Sequence, residues 1–201
     1  MLLLPLNYLA LGVPNARYEI YESLARHIMG NPEVVFTGDS ITRGGGIWAF
    51  RIHRYDFKVS NIAKGGFDTD NVKAITLREL DKRPKRLFIM SGRNDMAASY
   101  KNGNAKACIG MYREILNYAV HKGTRVYVTS TLYRADEQNP NIVDELNIFL
   151  REWCATNQQV YIDLNARLSE HGKLRQEFTT DGCHINEGAY RIWAGMIRSL
   201  L

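Results

Sequence analysis

The strongest constraint on this chain is an alternation. Five short runs rich in β-branched and aromatic residues recur along it: EVVFTG (33–38), FKVSNI (57–62), RLFIMS (86–91), RVYVTS (125–130) and QVYIDL (159–164). Longer stretches with helical periodicity separate them. Thr69–Leu80 repeats Val72, Ile75 and Leu80. Ala105–His121 aligns Ile109, Tyr112, Leu116 and Val120 on one face. Ile142–Cys154 aligns Val143, Leu146, Phe149, Leu150 and Trp153. Tyr18–Met29 predicts a helix before the first strand, and Glu187–Leu201 predicts the last one, with Tyr190, Trp193, Ala194 and Ile197 inward. Strands alternating with helices predict an α/β fold, a parallel sheet of five strands covered by helices on both faces. Right-handed crossovers follow from chain chirality. Sites in such open sheets form just beyond the carboxyl ends of the strands.

The 201 residues, 45% of them hydrophobic, suit one domain over 1–201 with a single sizeable core. The apolar start MLLLPLNYLALG lacks the basic region of a secretory signal and is too short to span a bilayer. Residues 1–17 are therefore read as an extension of open role, and no membrane span is expected. The compartment is open, with the cytoplasm favoured, and so is the choice between monomer and homo-oligomer. Net charge is +5, but the cations are scattered, and Glu79 and Asp81 interrupt the densest patch, Arg78–Arg86. This reads as a solvated face, not a nucleic-acid footprint. Cys108, Cys154 and Cys183 offer neither a disulfide framework nor a CxxC metal pair.

Chemistry-bearing residues follow the strands. Gly38-Asp39-Ser40 comes after the first, Asn61 and then Lys64-Gly65-Gly66 after the second, Gly92-Arg93-Asn94-Asp95 after the third. Asp181-Gly182-Cys183-His184 lies beyond the fifth. A serine hydroxyl needs a base to become a nucleophile, and imidazole titrates near neutral pH. His184 fits that base, and Asp181, three residues earlier, fits the group that orients the ring. Acyl transfer also needs donors for a developing oxyanion; the N–H of Ser40, the N–H of Gly66 and the Asn94 amide are the candidates. Each block taken alone also reads as a cap, a turn or surface polarity. Their order, each at the correct end of its segment, favours a catalytic Ser40, Asp181 and His184.

These blocks resemble the SGNH (GDSL-type) hydrolase family: VVFTGDSIT carries the serine, NIAKGGFDTDNV the glycine, SGRND the asparagine and DGCHINEGAYRIWA the Asp-x-x-His. The likeness covers about residues 30–200 and lies nearest the platelet-activating-factor acetylhydrolase-like branch, which LYRADEQNPNIVDELN also resembles. It implies a flavodoxin-like three-layer α/β/α sandwich and a serine esterase that needs no metal or other cofactor. Short, mainly acetyl, esters of sugars or lipids are the implied substrates. A lysophospholipase, a thioesterase or an acyl transferase would use the same triad.

Three residues stand outside the pattern as candidate substrate contacts. Arg93 either faces the site and attracts an anionic group or pairs with an acid nearby. Gly44, in the run Gly44-Gly45-Gly46, is either a flexible wall or part of a loose turn. Trp48 either lines a pocket or packs in the core. Two other function classes compete. A metal-dependent phosphoesterase would use Asp39, Asp95, Asp181 and His184, although only one histidine is in range. A carbohydrate-binding scaffold would carry a relict site.

Overall fold

In the computed structural model, the structure describes residue 23 and residues 30–54 and 58–201. The predicted helix 18–29, apart from Ser23, and the 1–17 extension lie outside the described residues. The five strands are β1 (Val34–Gly38), β2 (Val59–Asn61), β3 (Arg86–Met90), β4 (Arg125–Thr129) and β5 (Val160–Ile162). They form one parallel sheet in the order β2-β1-β3-β4-β5. This is the flavodoxin-like order, in which the direction of winding reverses beside β1. Ligand crevices open at that reversal, between β1 and β3, where the serine and asparagine blocks emerge.

The strands are legible because both of their faces are buried. Val35, Leu87, Ile89, Val126 and Val128 point to one side. There they meet α3 (Thr69–Leu80), α5 (Lys106–His121) and α6 (Pro140–Thr156). Val34, Phe36, Phe88, Met90 and Tyr127 point to the other. That face is covered by α1 (Ser40–Gly44), α2 (Trp48–Arg51) and α8 (Glu187–Arg198). Helices on both faces make the three-layer sandwich. Caps set the helix starts: Asp68 accepts from Asn71 N–H at α3, Asn186 accepts from Ala189 N–H at α8, and Pro140 opens α6. The remaining elements among the described residues from 30 to 201 are α4 (Met96–Asn102), α7 (Asn165–Leu168), a two-stranded hairpin of β6 (Ser169–Glu170) and β7 (Lys173–Leu174), and a single 3-10 turn (Gln176–Phe178).

Register builds an aromatic ladder on the second face. Phe36 lies opposite Phe88, and Phe88 opposite Tyr127. Their rings stack at 4.7 and 4.4 Å, and Trp48 extends the stack onto Phe36 at 4.5 Å. Each such contact adds about 0.5–1.5 kcal/mol beyond simple burial. Trp193 from α8 meets Trp48 edge-on at 4.7 Å. Trp48 is therefore a core residue, 1% exposed, with its indole N–H donated to Thr42 O at 3.0 Å. Of its two readings, pocket lining and core packing, Trp48 takes the core, its ring stacked on Phe36 of β1.

Among the described residues, no helix is long and apolar enough to cross a membrane.

Candidate active site

The serine block is held from three sides. Asp39 caps α1, its Oδ1 accepting the Ile41 N–H at 3.0 Å, which leaves Ser40 as the first helical residue at the strand end. Thr42 donates its hydroxyl to Met90 O at 2.9 Å and ties α1 to the end of β3. Asn61, at the end of β2, donates its amide to Thr42 O and Gly46 O at 3.2 and 3.1 Å and accepts the Ala63 N–H at 3.1 Å. The Lys64 N–H reaches Gly38 O at 3.2 Å, joining the glycine block to the serine block. The sequence placed Asn61 at the rim after the second strand without a role of its own. Here it clamps the turn after Ser40, and a buried carboxamide at a strand end was the available signal.

A continuous hydrogen-bonded chain runs from Ser40 to Asp181. Ser40 Oγ lies 2.9 Å from His184 Nε2, and His184 Nδ1 lies 2.6 Å from Asp181 Oδ2. The other carboxylate oxygen of Asp181 accepts the N–H groups of Cys183 and His184 at 2.9 and 2.7 Å. The His184 ring and these two N–H groups hold the Asp181 carboxyl well below the usual carboxylate range. Asp181 is then an anion facing Nδ1, which places the ring proton there and leaves the Nε2 lone pair toward Ser40. The loop carrying the pair is pinned by Thr179, whose hydroxyl donates to His184 O at 2.6 Å and accepts the Gly182 N–H at 3.0 Å. Cys183 sits half-buried in the same loop, and burial pushes its thiol up. It remains a thiol at neutral pH.

The other two blocks meet each other. Asn94 donates its amide to Phe67 O at 2.7 Å, one residue past Gly66. Asp95 accepts both the N–H and the hydroxyl of Thr69, which locks the asparagine block to the start of α3. Gly66 adopts φ +75°, while a Cβ there would meet nothing within 4 Å. Its glycine answers the left-handed backbone, not a close approach by other protein atoms.

The structure decides between the two readings of Arg93 and the two of Gly44. Arg93 is 7% exposed and does not present its charge to substrate. Its guanidinium donates to Glu137 Oε2 at 2.8 Å and to Leu132 O at 3.2 Å. Of the two alternatives, it takes the pairing with a nearby acid. Gly44 is a packing requirement: a Cβ there would lie 2.2 Å from the Tyr190 hydroxyl, which donates to Ile41 O at 2.7 Å. Gly45 is likewise met at 2.4 Å by the Trp48 ring, and Gly46 takes φ +63°. The glycine run follows from the tight turn over two aromatic side chains, not from a flexible wall. The four groups of the metal reading are also each engaged elsewhere: Asp39 caps α1, Asp95 holds Thr69, and Asp181 and His184 hold each other. Among the described residues, no group of three or more His, Cys, Asp or Glu side chains is arranged to hold a metal ion.

Comparison with known proteins points the same way. The chain's fold is similar to that of a GDSL-like lipase from Bacteroides thetaiotaomicron, with a TM-score of 0.76 and 18% identity over 92% of this chain and 97% of that one. It is also similar to a carbohydrate esterase family 3 protein from Talaromyces cellulolyticus, with a TM-score of 0.65 and 16% identity over 84% and 95% of the two chains. In sequence, 105 residues are 27% identical to an N-acylneuraminate cytidylyltransferase of Streptococcus agalactiae serotype V. That match spans 51% of this chain but only 24% of the relative. The model of the GDSL-like lipase/acylhydrolase family matches residues 36–192, from within β1 to within α8, and so takes in every block of the site. With four-fifths of its length in that match, the chain belongs to the GDSL-like lipase/acylhydrolase family.

Proposed function

We propose that this chain is a serine esterase that removes short acyl groups, chiefly acetyl, from an acylated sugar. The observation that carries the reading is the hydrogen-bonded chain from Ser40 through His184 to Asp181 at the carboxyl ends of parallel strands. His184 Nε2 takes the Ser40 proton as Oγ attacks the ester carbonyl. Asp181 keeps the ring oriented and stabilises the imidazolium. The N–H groups of Ser40 and Gly66 and the Asn94 amide receive the oxyanion. The Phe67 carbonyl takes one amide hydrogen of Asn94 and thereby aims the other. His184 then protonates the leaving alcohol, and water releases the acyl group by the same steps in reverse roles.

The sugar in this reading is supported by two names. The Streptococcus relative acts on an N-acylated sugar acid, and the Talaromyces neighbour is a carbohydrate esterase. The test is a panel of p-nitrophenyl acetate, p-nitrophenyl octanoate, acetylated sugars and lysophospholipids. Acetate release from sugar and aryl esters by the wild type, lost in Ser40→Ala with the fold intact, is the expected result. Undiminished activity in Ser40→Ala refutes the mechanism. Preference for lysophospholipid refutes the substrate class.

A further inference from the structure

The Arg93–Glu137 pair is an unusual way to fill space beside a site. Both side chains are almost wholly enclosed, at 5% and 1% exposure. Two charges withdrawn from water recover the loss only where geometry is good, and an apolar pair of similar volume often serves stability as well or better. Stability alone is therefore a weak reason for an ion pair here. Its position suggests another reason.

Arg93 is the residue before Asn94. Its main-chain N–H faces the carboxylate of Asp39, the residue before Ser40. Its guanidinium crosses to Leu132 O and Glu137 in the segment after β4. Glu137 closes a turn there: Oε2 also accepts the Arg134 N–H at 3.2 Å, and its own N–H reaches Arg134 O at 3.3 Å. That turn touches the loop of the base. Ala135 N–H donates to Gly182 O at 2.8 Å, between Asp181 and His184. One hydrogen-bonded path thus joins the rim bearing Ser40 and Asn94 to the loop bearing Asp181 and His184, and the buried ion pair is its central link.

We propose that Arg93 and Glu137 are positioning residues whose buried ion pair sets the Asp181–His184 loop in register with Ser40 and Asn94. The proposal rests on the reading of Ser40 and His184 as the reacting pair. Neither residue touches substrate, so their loss should act on the alignment reached in the transition state. A misplacement near 1 Å costs on the order of 100-fold in such sites.

The test compares Arg93→Met, Glu137→Gln, Arg93→Lys and the double variant Arg93→Met/Glu137→Met with the wild type. The readouts are kcat and KM on p-nitrophenyl acetate, the rate of Ser40 labelling by a fluorophosphonate, and the melting temperature. The single variants should lose roughly 10–100-fold in kcat with KM within about threefold. Arg93→Lys keeps charge but not the fork, so it should recover only part of the rate. The double variant removes both charges and leaves neither stranded. It should melt near the wild type yet stay slow in turnover and labelling. Full activity in the double variant, or in any folded single variant, overturns the proposal. A wild type whose Ser40 neither labels nor turns over overturns the esterase reading and this inference with it. Wild-type turnover that depends on Ser40, together with indifference to the pair, overturns this inference alone.

Discussion

Asp39 lies directly under the nucleophile, fully buried, with one carboxylate oxygen capping Ile41 N–H and the other without a hydrogen-bond partner. Burial pushes its carboxyl up from 3.8 to about 6. The N–H groups of Ile41 and Arg93 and the nearby His184 pull the other way without offsetting it, and Asp95 adds to the rise. The folded chain therefore binds this proton more tightly than the unfolded chain does. Stability contributed here is complete below the unfolded value of 3.8 and is lost as pH rises through about 6. That rise from 3.8 to about 6 is worth about 3 kcal/mol in all, of which about 2 kcal/mol falls between about pH 4.5 and about pH 8. Asp39→Asn keeps an oxygen for Ile41 and removes the titration. Any fixed effect of the amide cancels when the same pair of proteins is compared across pH. Urea unfolding of both at several pH values should show the variant gaining on the wild type by about 2 kcal/mol over that range. A difference that stays constant within about 0.5 kcal/mol would refute the argument that burial makes the folded chain hold this proton more tightly.

Three further outcomes follow from the geometry. Gly44→Ala should cost about 2–4 kcal/mol, since the new Cβ displaces the Tyr190 hydroxyl from Ile41 O. A melting point about 5–15 °C lower, largely restored by adding Tyr190→Phe, is the expected calorimetric result, and an unchanged melting point counts against it. Asn94→Ala should lower kcat on p-nitrophenyl acetate by about 100–1000-fold with little change in KM. Asn94 is exposed, so its melting point should move little; a loss confined to KM would mean that the amide binds substrate rather than the oxyanion. Asp181→Asn should lower kcat by about 10,000-fold, because an amide facing Nδ1 favours the wrong ring tautomer. Asp181 is held well below the usual range, so the wild type should show no fall in rate between about pH 4 and pH 5 that Asp181→Asn abolishes.

How much of this was legible depends on how far each residue's partner lies along the chain. Val34–Phe36 and Leu87–Met90 are buried on both faces, so each strand declares itself by unbroken apolar character within a few residues. Helix α8 declares itself by the spacing of Tyr190, Trp193, Ala194 and Ile197. The meeting of Ser40, His184 and Asp181 was legible for a related reason: the chemistry proposed for them restricts residue types, and the strand ends restrict their places. β2 and β5 are shorter than their sequence runs, because only the residues that pair with a neighbour count as strand. Arg93, Gly44 and Trp48 are different. Each lies beside a reacting block, and each takes its role from a partner that no local pattern announces: Glu137 44 residues on, the Tyr190 hydroxyl on the last helix, and Phe36 through the register of β1. A sequence reading leaves such residues open between substrate and frame, because the partner that decides is not local. Loops that must hold reacting atoms in fixed relation need support from elements far along the chain, and the residues flanking the reacting groups are where that support attaches. An unexplained charge or glycine next to a reacting block is on this argument more often part of the frame than of the pocket. On the proposed positioning role, Arg93 belongs to such a frame: its charge meets Glu137, whose turn bonds the loop of Asp181 and His184.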